Sequence, residues 1–221
     1  MTAATDISEL REYRITSNKE ISPQVYVISV KRDFDFAPGQ VVKLALDRES
    51  PPRIYSLCSG NQDMDASVLF NVKETGSLTP RLASLKPGDR ILMSAPYGSF
   101  RGDTSAAWWI GSGTGIAPYY SMLRSGLGIN KKLVHGVRFM NQFYFGEELA
   151  RKMGGNYIRC CSRESAAGVF SGRISTYIEQ VDNLPDVKYF LCGNALMVVE
   201  VRDLLIARGI SFEKIVAEIY F

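Results

Sequence analysis

Residues 108–123 read WWIGSGTGIAPYYSML. Three glycines, Gly111, Gly113 and Gly115, follow an apolar run and lead into a helical pattern. Lacking side chains, they let a ligand come close to the backbone, and the unpaired amides of the following helix favour an anion there by roughly 0.3–1 kcal/mol. The spacing is G-x-G-x-G, not the commoner G-x-G-x-x-G dinucleotide fingerprint, so the segment reads either as a phosphate loop or as a plain tight turn. Pro118 falls in the first helical turn, where its missing N–H is tolerated.

Three arginines extend the pattern. Arg138 follows KLVHGV, Arg163 follows YIRCCS, and Arg173 opens a helical stretch ten residues later. In a doubly wound sheet the ligand lies beyond the carboxyl ends of the strands, which is where these residues would fall. The stretch HGVRFMNQ holds no acid to bind a free ribose 2'-hydroxyl, so arginines there suit a 2'-phosphate. Charge-assisted hydrogen bonds contribute about 1.5–3 kcal/mol each, and two would prefer NADP over NAD by on the order of a hundredfold or more. The other reading is surface arginines paired with Glu164 or Glu179. The chain closes on KIVAEIYF. Two terminal rings that water disfavours either pack into a core or cover a flat ligand.

These residues need elements to position them. After residue 101, apolar strand candidates (AAWWIGS, KLVHGV, YIRCCS, KYFLCG, KIVAEIYF) alternate with helical stretches (APYYSMLRSGL, NQFYFGEELARKM, ISTYIEQV, ALMVVEVRDLLIARG). That alternation predicts a parallel five-stranded sheet with right-handed crossovers. The first hundred residues instead hold short β-branched runs, PQVYVISV, QVVKLALD, RIYSLCS, SVLFNVK and RILMSAP, separated by Pro- and Gly-bearing turns. They predict an antiparallel barrel with one short helix, TPRLASL. The boundary falls in SFRGDT, giving domains 1–101 and 102–221, with no low-complexity linker and no internal repeat.

Composition narrows the classes. The 221 residues carry a net charge of +3, but residues 124–173 hold nine lysines and arginines against Glu147, Glu148 and Glu164. Such a bias fits an anionic partner. Cys58, Cys160, Cys161 and Cys192 form no C-x-x-C pair, so neither an iron–sulfur cluster nor structural zinc is expected, and free thiols fit a cytoplasmic location. The start, MTAATDISELREYRI, has no apolar h-region, and no apolar run is long enough to span a bilayer. The arginines sit at sheet-edge loops without a recognition motif, which argues against nucleic acid. His135, the single histidine, stands on a strand beside Gly136 and reads as structural rather than as a proton donor.

Six segments occur in order: RIYS at Arg53–Ser56, GSLTPRLASLKPGDRI from Gly76, GTGIAP from Gly113, SRE…SGRI from Ser162, LCGN from Leu191 and a terminal EIYF. Together they resemble the bacterial ferredoxin (flavodoxin)–NADP(+) reductases over nearly the whole chain, from Glu12 to Phe221. The resemblance implies an antiparallel six-stranded FAD barrel followed by a parallel NADP(H) domain. It places Arg53 on the FAD pyrophosphate with Ile54 beside it, Tyr55 against the flavin ring and Ser56 near the reactive nitrogen. Val68, Leu69 and Phe70 would line the flavin strand. Gly76, Ser77, Leu78 and Thr79 would wrap the pyrophosphate, although Ser77 or Thr79 also suits a helix N-cap.

In the other domain the resemblance gives Arg163 and Arg173 to the 2'-phosphate and Arg138 to the adenosine-pyrophosphate region, with Ser162 a further cofactor-binding residue. Thr114, between Gly113 and Gly115, would lie close to both cofactors. Cys192, with Gly193 and Asn194, would sit beside the nicotinamide; a buried inert thiol is the alternative. Glu218 would lie near the flavin, and Tyr220 would stack on it as a lid that the nicotinamide must displace, with Phe221 an added aromatic. Ser56, Cys192, Glu218 and Tyr220 would thus shape the hydride-transfer site. The chain departs from the family at Ala195, where proline is usual, and in its HGVR variant, and it has no room for an appended ferredoxin domain. The activity implied is electron transfer between NADPH and an acidic carrier, ferredoxin or flavodoxin, by a monomer. The rivals are an oxygenase reductase component, a free-flavin reductase and a non-catalytic nucleotide-binding module.

Overall fold

The structure, a computed structural model, describes residues 9–220; the expectation for Phe221 lies outside them. Contacts divide the chain into two compact units that meet between Arg101 and Gly102.

The first unit is built on a strand that the apolar runs do not announce. β1 (Arg11–Ser22) is largely charged and polar, and only Tyr13 and Ile15 of it are buried. It belongs to the sheet because it serves two neighbours. Residues 11–14 pair with β6 (Arg90–Met93), and residues from Ile15 on pair with β2 (Val25–Lys31). Irregular pairings at Ile15–Ser17 and Glu20–Ser22 sharpen its twist as it passes between them. With β3 (Val41–Ala45), β4 (Arg53–Ser56) and β5 (Asp65–Asn71) it makes a six-stranded antiparallel sheet in the order β4-β3-β6-β1-β2-β5.

The expected barrel is not closed by a ladder. Its two edge strands meet at one bridge, Leu57 opposite Val68, supported by the Cys58 N–H donating to the Ser67 carbonyl at 2.8 Å. β4 is only four residues long and ends at Ser56, too short for a regular ladder along β5. One side of the sheet holds a core of Tyr13, Ile28, Val42, Leu44, Leu57 and Ile91, among others. α1 (Thr79–Ser84) closes on it through Leu82.

Asn18 of β1 ties down the end of that helix. Its Nδ2 donates to the carbonyls of Leu82 and Leu85, both at 2.9 Å, satisfying acceptors that a helix terminus leaves open. Asn18→Ala should cost about 1–2 kcal/mol, read as a lower urea midpoint at unchanged slope. A midpoint identical to that of the unaltered protein would show that water serves these carbonyls equally well.

The second unit holds six parallel strands, one more than expected. They are β7 (Ala107–Ser112), β8 (Lys131–Val137), β9 (Tyr157–Cys161), β10 (Phe170–Ser171), β11 (Lys188–Asn194) and β12 (Ile215–Tyr220), in the order β10-β9-β8-β7-β11-β12. The extra strand, β10, is two residues long, below the length at which an apolar period can register. α4 (Ile174–Glu179) and α5 (Ala195–Ala207) cover the face bearing Trp108, Ile110, Val134 and Leu191. α2 (Ala117–Arg124) covers the opposite face, where Tyr119 stacks on Trp109 at 5.6 Å. α3 (Gly146–Met153) starts five residues later than its pattern implies. Residues 140–142 form a 3-10 turn and Phe145 takes a left-handed φ of 58°, which breaks the helical run. Among the described residues no helix is long and apolar enough to cross a membrane, and none cluster as metal ligands.

Candidate functional site

β7 continues into β8 on one side of the sheet and neighbours β11 on the other. This reversal is a topological switch point, where the loops after two adjacent strands diverge and leave a crevice. The loop after β7 is Gly113–Ile116, a 3-10 turn leading directly into α2. β11 ends on Gly193–Asn194, which lead directly into α5.

Glycine is required at both. A Cβ on Gly115 would lie 2.4 Å from the Cys192 carbonyl oxygen. Gly193 holds φ at +130°, and a Cβ there would lie 2.5 Å from Ser112 Oγ. The two strand ends are also bonded together, since the Asn194 N–H donates to Ser112 Oγ at 3.1 Å. Asn194 caps α5 as well, its Oδ1 accepting from the Leu196 N–H at 3.0 Å. Gly113, by contrast, has φ of +54° and open space where a side chain would be. The glycine loop is therefore packed behind Gly115 and open at Gly113. That is a cradle with amides at its rim, since the first N–H groups of a 3-10 turn have no partner within it.

The three arginines stand on consecutive loops of the same edge. Parallel pairing sets Val137 opposite Cys161 and Cys161 opposite Ser171, so the chain leaves each strand at a similar height. The Arg138 carbonyl accepts from the Arg163 N–H at 3.0 Å and from the Cys161 thiol at 3.1 Å, and the Gly172 N–H donates to the Cys161 carbonyl at 2.8 Å. Ser162 hangs from Val137 by its N–H at 3.1 Å. Arg138, Arg163 and Arg173 are all exposed. Among the described residues none of their side chains has an ion-pair or hydrogen-bond partner. Glu164 accepts from the Met140 N–H instead.

Cys192 and the last strand adjoin the switch point. Cys192 lies opposite Gly111 on one side and Glu218 on the other. It is wholly buried, and burial pushes its thiol well above the ordinary range. The Glu218 charge adds to that shift, while a hydrogen bond with the Tyr220 side chain opposes it. The thiol is therefore neutral at physiological pH, a small apolar wall rather than a nucleophile. Tyr220 is opposite Asn194 and half-buried.

The first unit brings its own set together. Arg53 and Ile54 are exposed on β4, Tyr55 is half-buried and Ser56 is buried. Tyr55 meets Phe70 edge-on at 6.4 Å, and burial lifts its hydroxyl to about 12. Val68 and Phe70 face the core while Leu69, between them, takes the other side of β5. Gly76 closes a turn by donating its N–H to the Lys73 carbonyl at 2.7 Å. The expected N-cap is not formed at Ser77 or Thr79. Leu78 occupies that position without a side-chain bond, and Thr79 Oγ1 accepts from the Lys73 N–H at 2.8 Å instead. The α1 amides consequently stay free of a side-chain acceptor.

Two contributors carry no sequence signal. Ser112 receives the Asn194 amide, but a serine between two glycines does not reveal its partner 82 residues away. Tyr119 sets its hydroxyl 2.7 Å from the Phe190 carbonyl and 3.0 Å from that of Ile110, joining β7 to β11 beneath the switch point. In the sequence it is one more apolar residue of a helix.

Residues 109–203 match the family model described as Oxidoreductase NAD-binding domain. Over 188 residues the chain is 34% identical to the flavodoxin/ferredoxin–NADP reductase of Escherichia coli (strain K12), spanning 74% of this chain and 76% of that protein. It is 30% identical over 227 residues to ferredoxin–NADP reductase B of Sorangium cellulosum, spanning 90% and 91%. Its fold matches the crystal structure of a ferredoxin NADP+ reductase from Neisseria gonorrhoeae with bound FAD and NADP, at a TM-score of 0.88 and 21% identity over 96% of this chain and 99% of that one. Together with the ordered motifs and the switch-point geometry, these matches place the chain in the flavodoxin/ferredoxin–NADP reductase family.

Proposed function

We propose that this protein is an FAD-dependent oxidoreductase that moves electrons between NADPH and a one-electron carrier, ferredoxin or flavodoxin. The observation that carries the reading is the set of three exposed arginines, unpaired among the described residues, on consecutive loops beside the glycine cradle. Unpaired guanidiniums on neighbouring loops match a dianionic phosphate, and the cradle matches a diphosphate. On this reading residues 102–221 hold NADP(H) and residues 1–101 hold FAD.

Within the second unit, Arg163 and Arg173, with Ser162, fix the 2'-phosphate, and Arg138 takes the adenosine-pyrophosphate region. The amide of Thr114 faces the diphosphate. The neutral Cys192 thiol lets the nicotinamide approach closely without placing a competing charge there. In the first unit Arg53 neutralises the FAD pyrophosphate, and Gly76, Ser77, Leu78 and Thr79 wrap it. Tyr55 offers a ring for the flavin, and Ser56 is assigned to its reactive nitrogen. Glu218 and Tyr220 are assigned to the same cofactor. When bound, the flavin supplies the conversion between a two-electron donor and one-electron steps. The basic bias of residues 124–173 would speed encounter with an acidic carrier. The reading further takes the protein to be a cytoplasmic monomer.

The test is spectroscopic. The purified protein should show flavin absorption that bleaches rapidly with NADPH and slowly with NADH under anaerobic conditions. A colourless protein that takes up no added FAD would overturn the reading and leave a nucleotide-binding module without redox chemistry.

A further inference from the structure

We propose that His135, locked by Tyr157, is a positioning residue that aims the backbone of the glycine loop at the nucleotide diphosphate. His135 lies on β8 and is fully buried. Its Nε2 is 3.3 Å from the Gly113 carbonyl oxygen and its Nδ1 is 3.1 Å from the Tyr157 hydroxyl. Phe143 closes the site edge-on at 5.4 Å.

The two contacts fix the protons. A carbonyl only accepts, so Nε2 must carry a hydrogen. Burial pulls the imidazole down to about 4, so the ring is neutral and Nδ1 bears a lone pair. Tyr157 must then donate to Nδ1. Its hydroxyl thereby occupies the Nδ1 lone pair and supports the tautomer that the Gly113 carbonyl requires, in the way that a second partner usually orients a histidine. The consequence reaches the loop through the planar trans peptide, in which C=O and N–H point in opposite directions. With the Gly113 carbonyl drawn inward onto His135, the Thr114 N–H of the same peptide points away from the core. Gly113 itself holds φ of +54° with open space where a Cβ would be, so besides the i→i+3 bonding of the 3-10 turn it begins it is the imidazole that fixes the peptide. Without the imidazole the peptide is held by the turn alone and is freer to rotate and present a carbonyl oxygen to an anion.

This inference rests on the nucleotide reading above, and its test separates the two. The full-length flavoprotein would be titrated calorimetrically with NADP+ and with adenosine 2'-monophosphate, which meets the arginines but has no diphosphate for the loop. His135→Leu should weaken NADP+ about tenfold and leave adenosine 2'-monophosphate unchanged, while His135→Gln, which keeps a donor near Nε2, should recover most of the loss. Tyr157→Phe leaves the buried ring in place and serves if His135→Leu does not fold. It should weaken NADP+ alone, by about threefold. Because the chain has a single histidine, nitrogen-15 NMR reads its tautomer directly. The Nε2–H form is expected, mixing with the other tautomer in Tyr157→Phe. Equal weakening of both ligands, no weakening of either, or an Nδ1–H tautomer in the unaltered protein would overturn the anchor. An unaltered protein that binds adenosine 2'-monophosphate no better than adenosine, and NADP+ not at all, would overturn the nucleotide reading and the anchor with it.

Discussion

Replacing Arg163 and Arg173 together by alanine will lower kcat/KM for NADPH by about a hundredfold while changing that for NADH by less than about threefold. The estimate takes two charge-assisted bonds near the lower end of 1.5–3 kcal/mol each, because both side chains are exposed and water screens them. About 3 kcal/mol is a factor of roughly a hundred. The loops themselves should survive the change. Arg163 is held through its backbone N–H on the Arg138 carbonyl, and Arg173 stands at the N-cap of α4 without making a side-chain cap bond. Truncation beyond Cβ therefore removes charge and leaves the scaffold. Steady-state kinetics with both nucleotides decides the matter: equal losses would sink the assignment to the 2'-phosphate, and a loss confined to KM would mark them as pure binding groups.

The parts of this site that were legible in the sequence share one property: their position follows from chain order. A glycine-rich turn after a buried strand has to fall at the carboxyl edge of a parallel sheet, and so do residues just beyond the next strands. Chain order alone thus puts Arg138, Arg163 and Arg173 at that edge. What escaped depends on partners far along the chain or on elements too short to show a period. β1 is charged or polar along most of its length, and it forms because two neighbouring strands supply its hydrogen bonds. β10 is two residues long. The expected closed barrel became a sheet joined by one bridge because β4 stops at Ser56, a boundary that propensity does not mark. Thr79 suits an N-cap by composition, yet its hydroxyl is taken by the Lys73 amide, a competition that only the folded loop reveals.

The glycines behind the cradle should be the least replaceable residues of the second unit. Gly115→Ala and Gly193→Ala are each expected to cost about 3 kcal/mol or more, lowering the unfolding midpoint by roughly 6–12 °C in a domain of this size. The reason is that both clashes are against groups that cannot move away. The Cys192 carbonyl facing Gly115 belongs to β11, which is paired with β7 on one side and β12 on the other. Ser112, facing Gly193, belongs to β7 and is paired with Gly136 of β8. Gly193 carries the further strain of φ at +130°. Gly155→Ala supplies the comparison, since a Cβ there meets nothing within 4 Å and its φ is unrestricted, so its midpoint should stay within about 1 °C. If Gly115→Ala proved as harmless as Gly155→Ala, the ends of β7 and β11 would have to be free to part. The crevice would then be a soft one, and the cradle could not hold its amides in the fixed orientation that anion binding at the switch point requires.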